Sequence, residues 1–322
     1  MLFQLFMVRN IISMLDVKDD LHDIIKLAIK LKEKDKKGED IRLLKGKILG
    51  MIFEKSSTRT RVSFEVGMNK LGGYAIFLSS NDIQLGRGET IEDTALVLSR
   101  YVDIMMYRSK SNESMRELAE NATVPVINGL DDKEHPCQVI ADLMTIVERK
   151  KHLEGLQFVY IGDGNNNMAH SYLLGCGITG MNIRIVSPRK YWPEDFYVNE
   201  AKKFGIDVEV TDEVEGSTRG ADVVATDTWV SMGDEAEKEE RIKAFQGYTV
   251  TERLMEEAKP DVLFMHCLPA YYGYEVTKEV AHGPRSVIFD EAENRMWAQM
   301  AIMVTLLRKP PFFKEEGIEE TL

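Results

Sequence analysis

Short apolar runs recur along this chain with helical patterns between most of them, and that alternation limits the fold more than any other feature. The runs "KILGMIF" (47–53), "YAIFL" (74–78), "DIMMY" (103–107) and "VPVIN" (124–128) form a first series, and "VIADLMTIVERKK" then reads as a helix. A second series follows: "QFVYIG" (157–162), "NIRIVS" (182–187), "IDVEV" (206–210), "ADVVAT" (221–226), "DVLFMH" (261–266) and "SVIFD" (286–290). Parallel strands need a long crossover between them, and an intervening helix supplies it. The expected fold is α/β, with two doubly wound domains built on mainly parallel sheets. The break between the series near Lys150–Glu154 predicts domains over 1–150 and 151–291. The last helix, Ala292 to Leu307, is expected to pack back on the first domain, so that about 292–322 joins it. A chain of 322 residues can supply a sizeable core to each domain.

Open parallel sheets bind ligands beyond the carboxyl ends of their strands. Polar clusters follow these runs at that end: "EKSSTRTR" after 47–53, Arg108 after 103–107, "GLDDKEHPCQ" after 124–128, "DGNNN" after 157–162, "DTWVSMG" after 221–226, "CLPA" after 261–266 and "EAENR" after 286–290. Two such sheets facing each other would enclose one polar interdomain cleft, the expected active site.

In "FEKSSTRTRVSF", Ser56 or Ser57 can cap a helix whose buried face is Phe64, Met68 and Leu71, with Gly72-Gly73 ending it. Ser57, Thr58, Arg59 and Thr60 then occupy the start of that helix, where backbone N–H groups and the positive dipole end point outward. Hydroxyls and a guanidinium added there make an oxyanion site suited to phosphate. The same residues would also serve as a plain N-cap with solvated arginines, so the other clusters decide. Arg108 would be a second cation for a dianion, or a surface charge. His135 and Gln138 in "HPCQ" suit a fixed donor pair. Cys267 in "HCLP" has no neighbouring base in the sequence and reads equally as a small core residue.

The net charge of −12 argues against a general nucleic-acid or anionic-membrane binder and requires any anion site to gather its cations locally. No 18-residue apolar run predicts a membrane helix. The start "MLFQLFMVRNIIS" is short, with Arg9 after its apolar residues, and is not expected to be a secretion signal. Three cysteines, Cys137, Cys176 and Cys267, suggest no disulfide framework and fit a reducing cytoplasm. Their spacing and that of the six histidines suggests no metal site. "GCGITG" (175–180) matches G-x-G-x-x-G but follows a helical pattern and precedes a strand, the reverse of a dinucleotide fingerprint, and "GDGNNN" lacks the third glycine. No cofactor is expected.

"STRTR", "HPCQ", "DTWVSMG" and "HCLP", in this order, resemble the ornithine carbamoyltransferases, and the resemblance runs from "IISMLDV" to "EAENRMWAQMAIMVTLL". The first and second motifs mark the carbamoyltransferases as a group, and the S-M-G loop with H-C-L-P marks the ornithine branch. The resemblance implies transfer of the carbamoyl group of carbamoyl phosphate to the δ-amine of L-ornithine, giving citrulline and phosphate. It implies carbamoyl phosphate contacts from Ser57, Thr58, Arg59, Thr60, Gln84, Arg108, His135, Gln138, Cys267, Leu268 and Arg295. Arg59, Arg108, His135, Cys267 and Arg295 would serve the chemistry. Ornithine contacts would come from Asn167, Asp227, Ser231 and Met232, with Asn166 an alternative to Asn167. A homotrimer or a multiple of trimers, without metal or cofactor, is also implied. One departure is visible: Tyr271-Tyr272-Gly273 stands after "HCLPA", where the family often has a basic or histidine pair before the glycine.

Overall fold

The computed structural model describes residues 8–85, 88–230 and 235–308. The chain divides into two compact units, Met1–Cys137 with Met296–Leu322, and Gln138–Arg295. The change-over falls at Cys137/Gln138, within the first turn of the Pro136–Lys150 helix, where the sequence suggested 150/151. The second junction, Arg295/Met296, lies inside the Ile288–Leu307 helix.

The first unit carries a four-stranded parallel sheet. Its strands are β1 (Ile48–Phe53), β2 (Tyr74–Ser79), β3 (Ile104–Arg108) and β4 (Val126–Leu130), in the order β2-β1-β3-β4. The strands are apolar because helices cover both faces of such a sheet. Met51, Ile52, Ile104, Met105, Met106 and Ile127 are all fully buried. The chain direction across the sheet reverses between β1 and β3, so the carboxyl ends of those two strands form the topological switch point.

The Thr58–Lys70 helix follows β1 as expected. Phe64, Met68 and Leu71 form its buried side, and Gly72 leaves it at φ 81°. Residues of the last helix from Met296 onward pack on it: a Cβ at Gly67 would meet the Met300 side chain at 2.9 Å, and Lys70 lies over the Trp297 ring.

The second unit holds five parallel strands: β5 (Gln157–Ile161), β6 (Asn182–Val186), β7 (Val208–Thr211), β8 (Val223–Ala225) and β9 (Leu263–Met265), in the order β7-β6-β5-β8-β9. Its switch point lies between β5 and β8. A core of Val159, Ile161, Val224, Phe245, Phe264 and their neighbours fills the space beneath the covering helices. "GCGITG" forms the C-terminal part of the Asn167–Thr179 helix and its cap, Gly180 at φ 73°, which excludes a phosphate-binding turn there.

One expected strand is absent. In "SVIFD", only Ser286 bridges to Phe264, and a helix has begun by Ile288. Val287 and Ile288 are buried because they start an apolar helix face, and the run is too short for its period to distinguish helix from strand. "EAENR" therefore lies along a helix, four residues earlier than the expected helix start at Ala292 had suggested. No helix among the described residues is long and apolar enough to cross a membrane.

Candidate active site

In the first unit the candidate residues gather at the β1/β3 switch point. Ser57 caps the Thr58–Lys70 helix from an extended conformation (φ −160°, ψ 121°), and its hydroxyl accepts the Thr60 N–H at 3.2 Å. Thr58 and Arg59 open the helix, where the N–H groups have no intrahelical acceptor. Thr60 is 1% exposed, and its hydroxyl oxygen accepts from an Arg108 guanidinium nitrogen at 3.3 Å. A guanidinium at the end of β3 is thus drawn to the start of this helix. The β3–β4 register shifts between Tyr107 and Arg108, an irregularity that re-aims a strand-end side chain. Arg61 faces elsewhere, stacking on Phe77 at 3.8 Å and pairing with Glu65.

Glu54 was not singled out in the sequence. Its carboxylate accepts the Tyr107 hydroxyl (2.7 Å) and the Lys110 N–H (3.0 Å), while its own N–H donates to the Arg108 carbonyl (3.0 Å). Glu54 thereby fixes both sides of Arg108.

His135, 4% exposed, follows a turn organised by Asp131. The Asp131 carboxylate accepts the N–H groups of Lys133 (2.8 Å) and Glu134 (2.7 Å) and the amides of Asn112 and Asn128. Glu134, beside it, accepts the Met14 N–H at 2.9 Å, and burial pushes its carboxyl up to about 8. Gln84 is exposed on the segment after β2.

In the second unit, Asn166 and Asn167 follow β5. Asn166 is the N-cap: its carbonyl oxygen accepts the Ala169 N–H at 2.8 Å and its NH₂ donates to the Tyr160 hydroxyl at 3.1 Å. Both ends of that amide are committed to the fold. Asn167 sits half-buried in the first turn. Asp227 follows β8 and is 7% exposed. Its Oδ1 accepts the Thr228 N–H (2.8 Å) and the Cys267 thiol (3.3 Å). Burial pushes the Asp227 carboxyl up from its ordinary value. Burial, and then the nearby carboxylates of Asp227, Glu291 and Asp142, push the Cys267 thiol far above its ordinary value. A carboxylate therefore does neighbour Cys267, contrary to the sequence reading, but it favours the thiol over the thiolate. Ser231 and Met232 lie outside the described residues.

The "HCLP" turn follows β9. His266 Nδ1 accepts the Leu268 N–H at 2.9 Å, which helps hold Leu268 in the left-handed region at φ 60°. His266 Nε2 lies 3.1 Å from Glu275 Oε1, and that same oxygen accepts the Tyr271 N–H at 2.6 Å. Asp227, His266 and Cys267 offer three ligand-type atoms within 4.8 Å of one another, a grouping that sequence spacing did not reveal. Both imidazole nitrogens are already engaged in hydrogen bonds, with Leu268 and Glu275, and the Cys267 thiol donates to Asp227.

Comparison with known proteins decides the family. Residues 9–148 match the carbamoyl-P binding domain, and residues 154–306 the Asp/Orn binding domain, of the aspartate/ornithine carbamoyltransferases. The chain belongs to the aspartate/ornithine carbamoyltransferase family. Among its relatives, the ornithine carbamoyltransferase of Methanoculleus marisnigri is 51% identical over 302 residues, 94% of this chain and 97% of that one. That of Caldicellulosiruptor saccharolyticus is 52% identical over 301 residues, 92% and 97% of the two chains. The solved ornithine carbamoyltransferase from Pyrococcus furiosus superposes with a TM-score of 0.88 at 46% identity, covering 92% of this chain and 96% of that one.

In this carbamoyltransferase chain the family division follows the polar clusters. Ser57–Thr60, Arg108, His135 and Gln138 fall within the carbamoyl-P segment, and Asn167, Asp227, Cys267, Leu268 and Arg295 within the Asp/Orn segment. Arg295 and Gln138 meet directly, the guanidinium donating to the carboxamide oxygen. The carboxyls that hold these side chains, Glu54, Asp131, Glu275, Asp142 and Glu291, escaped the sequence reading. Only Asp142, set in the apolar stretch "VIADLM", carried a signal that could have found it, since a lone carboxylate among apolar residues is costly unless it is bonded.

Proposed function

We propose that this chain transfers the carbamoyl group of carbamoyl phosphate to the δ-amine of L-ornithine, releasing citrulline and phosphate. The observation that carries this reading is Asp227, a buried carboxylate at the β8 switch point whose side-chain neighbour is a thiol. Such an anion suits an amine-bearing substrate. Curated relatives at about half identity over nearly the whole chain bear the ornithine carbamoyltransferase name.

In this reading Ser57, Thr58, Arg59 and Thr60 bind the phosphate through hydroxyls, backbone N–H groups and a guanidinium, with Gln84 contributing from the loop after β2. Arg59 and Arg108 balance the charge that grows on the leaving phosphate. Arg108, Thr60 and His135 donate to the carbonyl oxygen as it becomes an oxyanion. Gln138, Arg295, Cys267 and Leu268 hold the carbamoyl group. Asn167, Asp227, Ser231 and Met232 hold ornithine, with Asn166 an alternative to Asn167.

The δ-nitrogen attacks the carbonyl carbon as a neutral amine, the tetrahedral intermediate collapses, and the bond from carbon to the phosphate oxygen breaks. The proton lost from nitrogen passes to the departing phosphate. If the amine resembles lysine (~10.4), neutralising it at pH 7 costs roughly 4–5 kcal/mol, so Asp227 and Cys267 must orient it without locking in its charge.

The chain acts as a cytoplasmic homotrimer or a multiple of trimers in this proposal. Exposed apolar residues on the first unit support self-association: Val62 and Val66 on the Thr58–Lys70 helix, Tyr74 and Ile76 on β2, and Tyr101. Carbamoyl-labelled carbamoyl phosphate tests the activity. Equimolar labelled citrulline and phosphate are expected with L-ornithine, and phosphate release without label transfer would overturn the assignment.

A further inference from the structure

Asp142 and Glu291, both 0% exposed, stand 149 positions apart in the sequence and meet within the second unit. The Gln138 NH₂ donates to Asp142 Oδ1 at 2.7 Å and to Glu291 Oε1 at 3.2 Å. Tyr172 donates its hydroxyl to Asp142 Oδ2 at 2.6 Å. Glu291 Oε2 accepts the backbone N–H of His266 at 2.9 Å. The carboxamide oxygen of Gln138 accepts from Arg295. One pair of carboxyls thus touches the helix that carries Gln138, the helix that carries Arg295 and the turn that carries Cys267 and Leu268.

Charge balance sets the protonation of the pair. The ionisable groups around it are Tyr172 on the Asn167–Thr179 helix, Arg295 beside Glu291 on its own helix, and Cys267 on the turn. Tyr172 and Cys267 are pushed up and stay neutral, chiefly by burial. Arg295 alone supplies a positive charge among these, so two buried anions here would leave one uncompensated. Asp142 receives the shorter bonds, from Gln138 and Tyr172, as the anion should. Glu291 then keeps a proton and donates it to Asp142. Burial, followed by the like charge of Asp142, pushes Glu291 far up, in keeping with that assignment.

We propose that Asp142 and Glu291 share one proton and act as positioning residues, locking Gln138, Arg295 and the His266–Leu268 turn into one arrangement for the carbamoyl end of carbamoyl phosphate. The inference rests on the carbamoyltransferase reading above. Neither carboxyl touches substrate; each acts through the groups it holds.

The test compares Asp142→Asn with Glu291→Gln, two substitutions that keep size and differ in which member loses its acid. Wild-type citrulline formation is measured first: its absence removes the functional reading itself, while carbamoyl phosphate binding by calorimetry still tests the pair. The neutral carboxamide introduced by Glu291→Gln can accept from the His266 N–H and donate to Asp142, although its NH₂ then replaces the oxygen that accepted from Gln138 and one weak hydrogen bond is lost. Glu291→Gln should keep carbamoyl phosphate Kd and KM within about fivefold. Asp142→Asn removes the carboxylate that accepts the shorter bonds from Gln138 and Tyr172, and should raise both by about tenfold or more. A merely structural pair would lower Tm in both variants without this asymmetry in Kd. Equal effects on Kd, or a larger loss in Glu291→Gln, overturn the proposal. If Asp142→Asn does not fold, Glu291→Ala replaces it: a tenfold loss there that Glu291→Gln restores supports the proposal, and equal Kd values for the two overturn it.

Discussion

Asp227→Asn keeps the size of a side chain that is 7% exposed and removes only its charge. Oδ1 accepts from the Thr228 N–H and the Cys267 thiol, and an asparagine oxygen can accept both, so the turn after β8 should persist with a stability change within about 1 kcal/mol. An amine-bearing ligand at this carboxylate would lose a desolvated charge partner. Losses of that kind run to about 3–5 kcal/mol, or roughly 10²–10⁴-fold in kcat/KM for ornithine. The phosphate-type cluster of Ser57–Thr60 and Arg108 belongs to the other compact unit, and of the proposed carbamoyl contacts Cys267 donates to Asp227, so Kd for carbamoyl phosphate alone should rise less than about fivefold. Calorimetric titration with carbamoyl phosphate, then initial rates against ornithine, measures both. If the variant loses carbamoyl phosphate affinity as severely as ornithine capture, the assignment of Asp227 to ornithine is wrong. If Tm drops by several degrees and both substrates suffer alike, Asp227 is a turn residue and nothing more.

Arg59→Ala should lower kcat about 10²–10³-fold with little change in Tm, because the guanidinium is only partly buried at a helix start; near-normal turnover would remove Arg59 from the phosphate site. The kcat/KM for ornithine should rise from pH 6 to above 8 as the neutral amine becomes available, and a flat profile would contradict attack by that form. Glu134 is held near 8 when folded and near 4.5 when free, so the folded state binds the extra proton between those values and wild-type stability falls as pH rises across that window. Glu134→Gln should therefore gain stability relative to wild type between pH 5 and 8, on the order of 2–4 kcal/mol, and denaturant melts showing a constant difference would refute it. Gly67→Val should destabilise by about 1–3 kcal/mol in the same melts, since even a Cβ meets Met300 at 2.9 Å; unchanged stability would show that the last helix gives way.

Local rules carried the reading where the chain's own period decides the structure. The alternation of apolar runs and helical patterns predicted both parallel sheets, and "SSTRT" with Phe64, Met68 and Leu71 predicted the capped helix after β1. "SVIFD" misled because so short an apolar run fits a strand as well as the start of a helix. The compact units divide within the Pro136–Lys150 helix, while the family segments divide between residues 148 and 154, beside the break read from the sequence. The supporting carboxyls were illegible for another reason. Glu54 reaches Tyr107 across 53 positions, Glu291 reaches Gln138 across 153, and nothing near either acid in the sequence names its partner. Glu275 lies nine positions from His266, yet only the fold of the "HCLP" turn brings the two together.

The most direct test of the central claim is kcat/KM for carbamoyl transfer from carbamoyl phosphate to L-ornithine, putrescine, N-acetylornithine and L-aspartate, measured on one preparation. The proposed site, which would pair Asp227 with an amine and hold the α-amino and α-carboxylate groups through Asn167, Asp227 and Ser231, rejects any analogue that leaves those groups unpaired. Ornithine should exceed each of the others by on the order of 10³-fold or more. Equal or faster transfer to putrescine, N-acetylornithine or aspartate would contradict the assignment of this chain to ornithine.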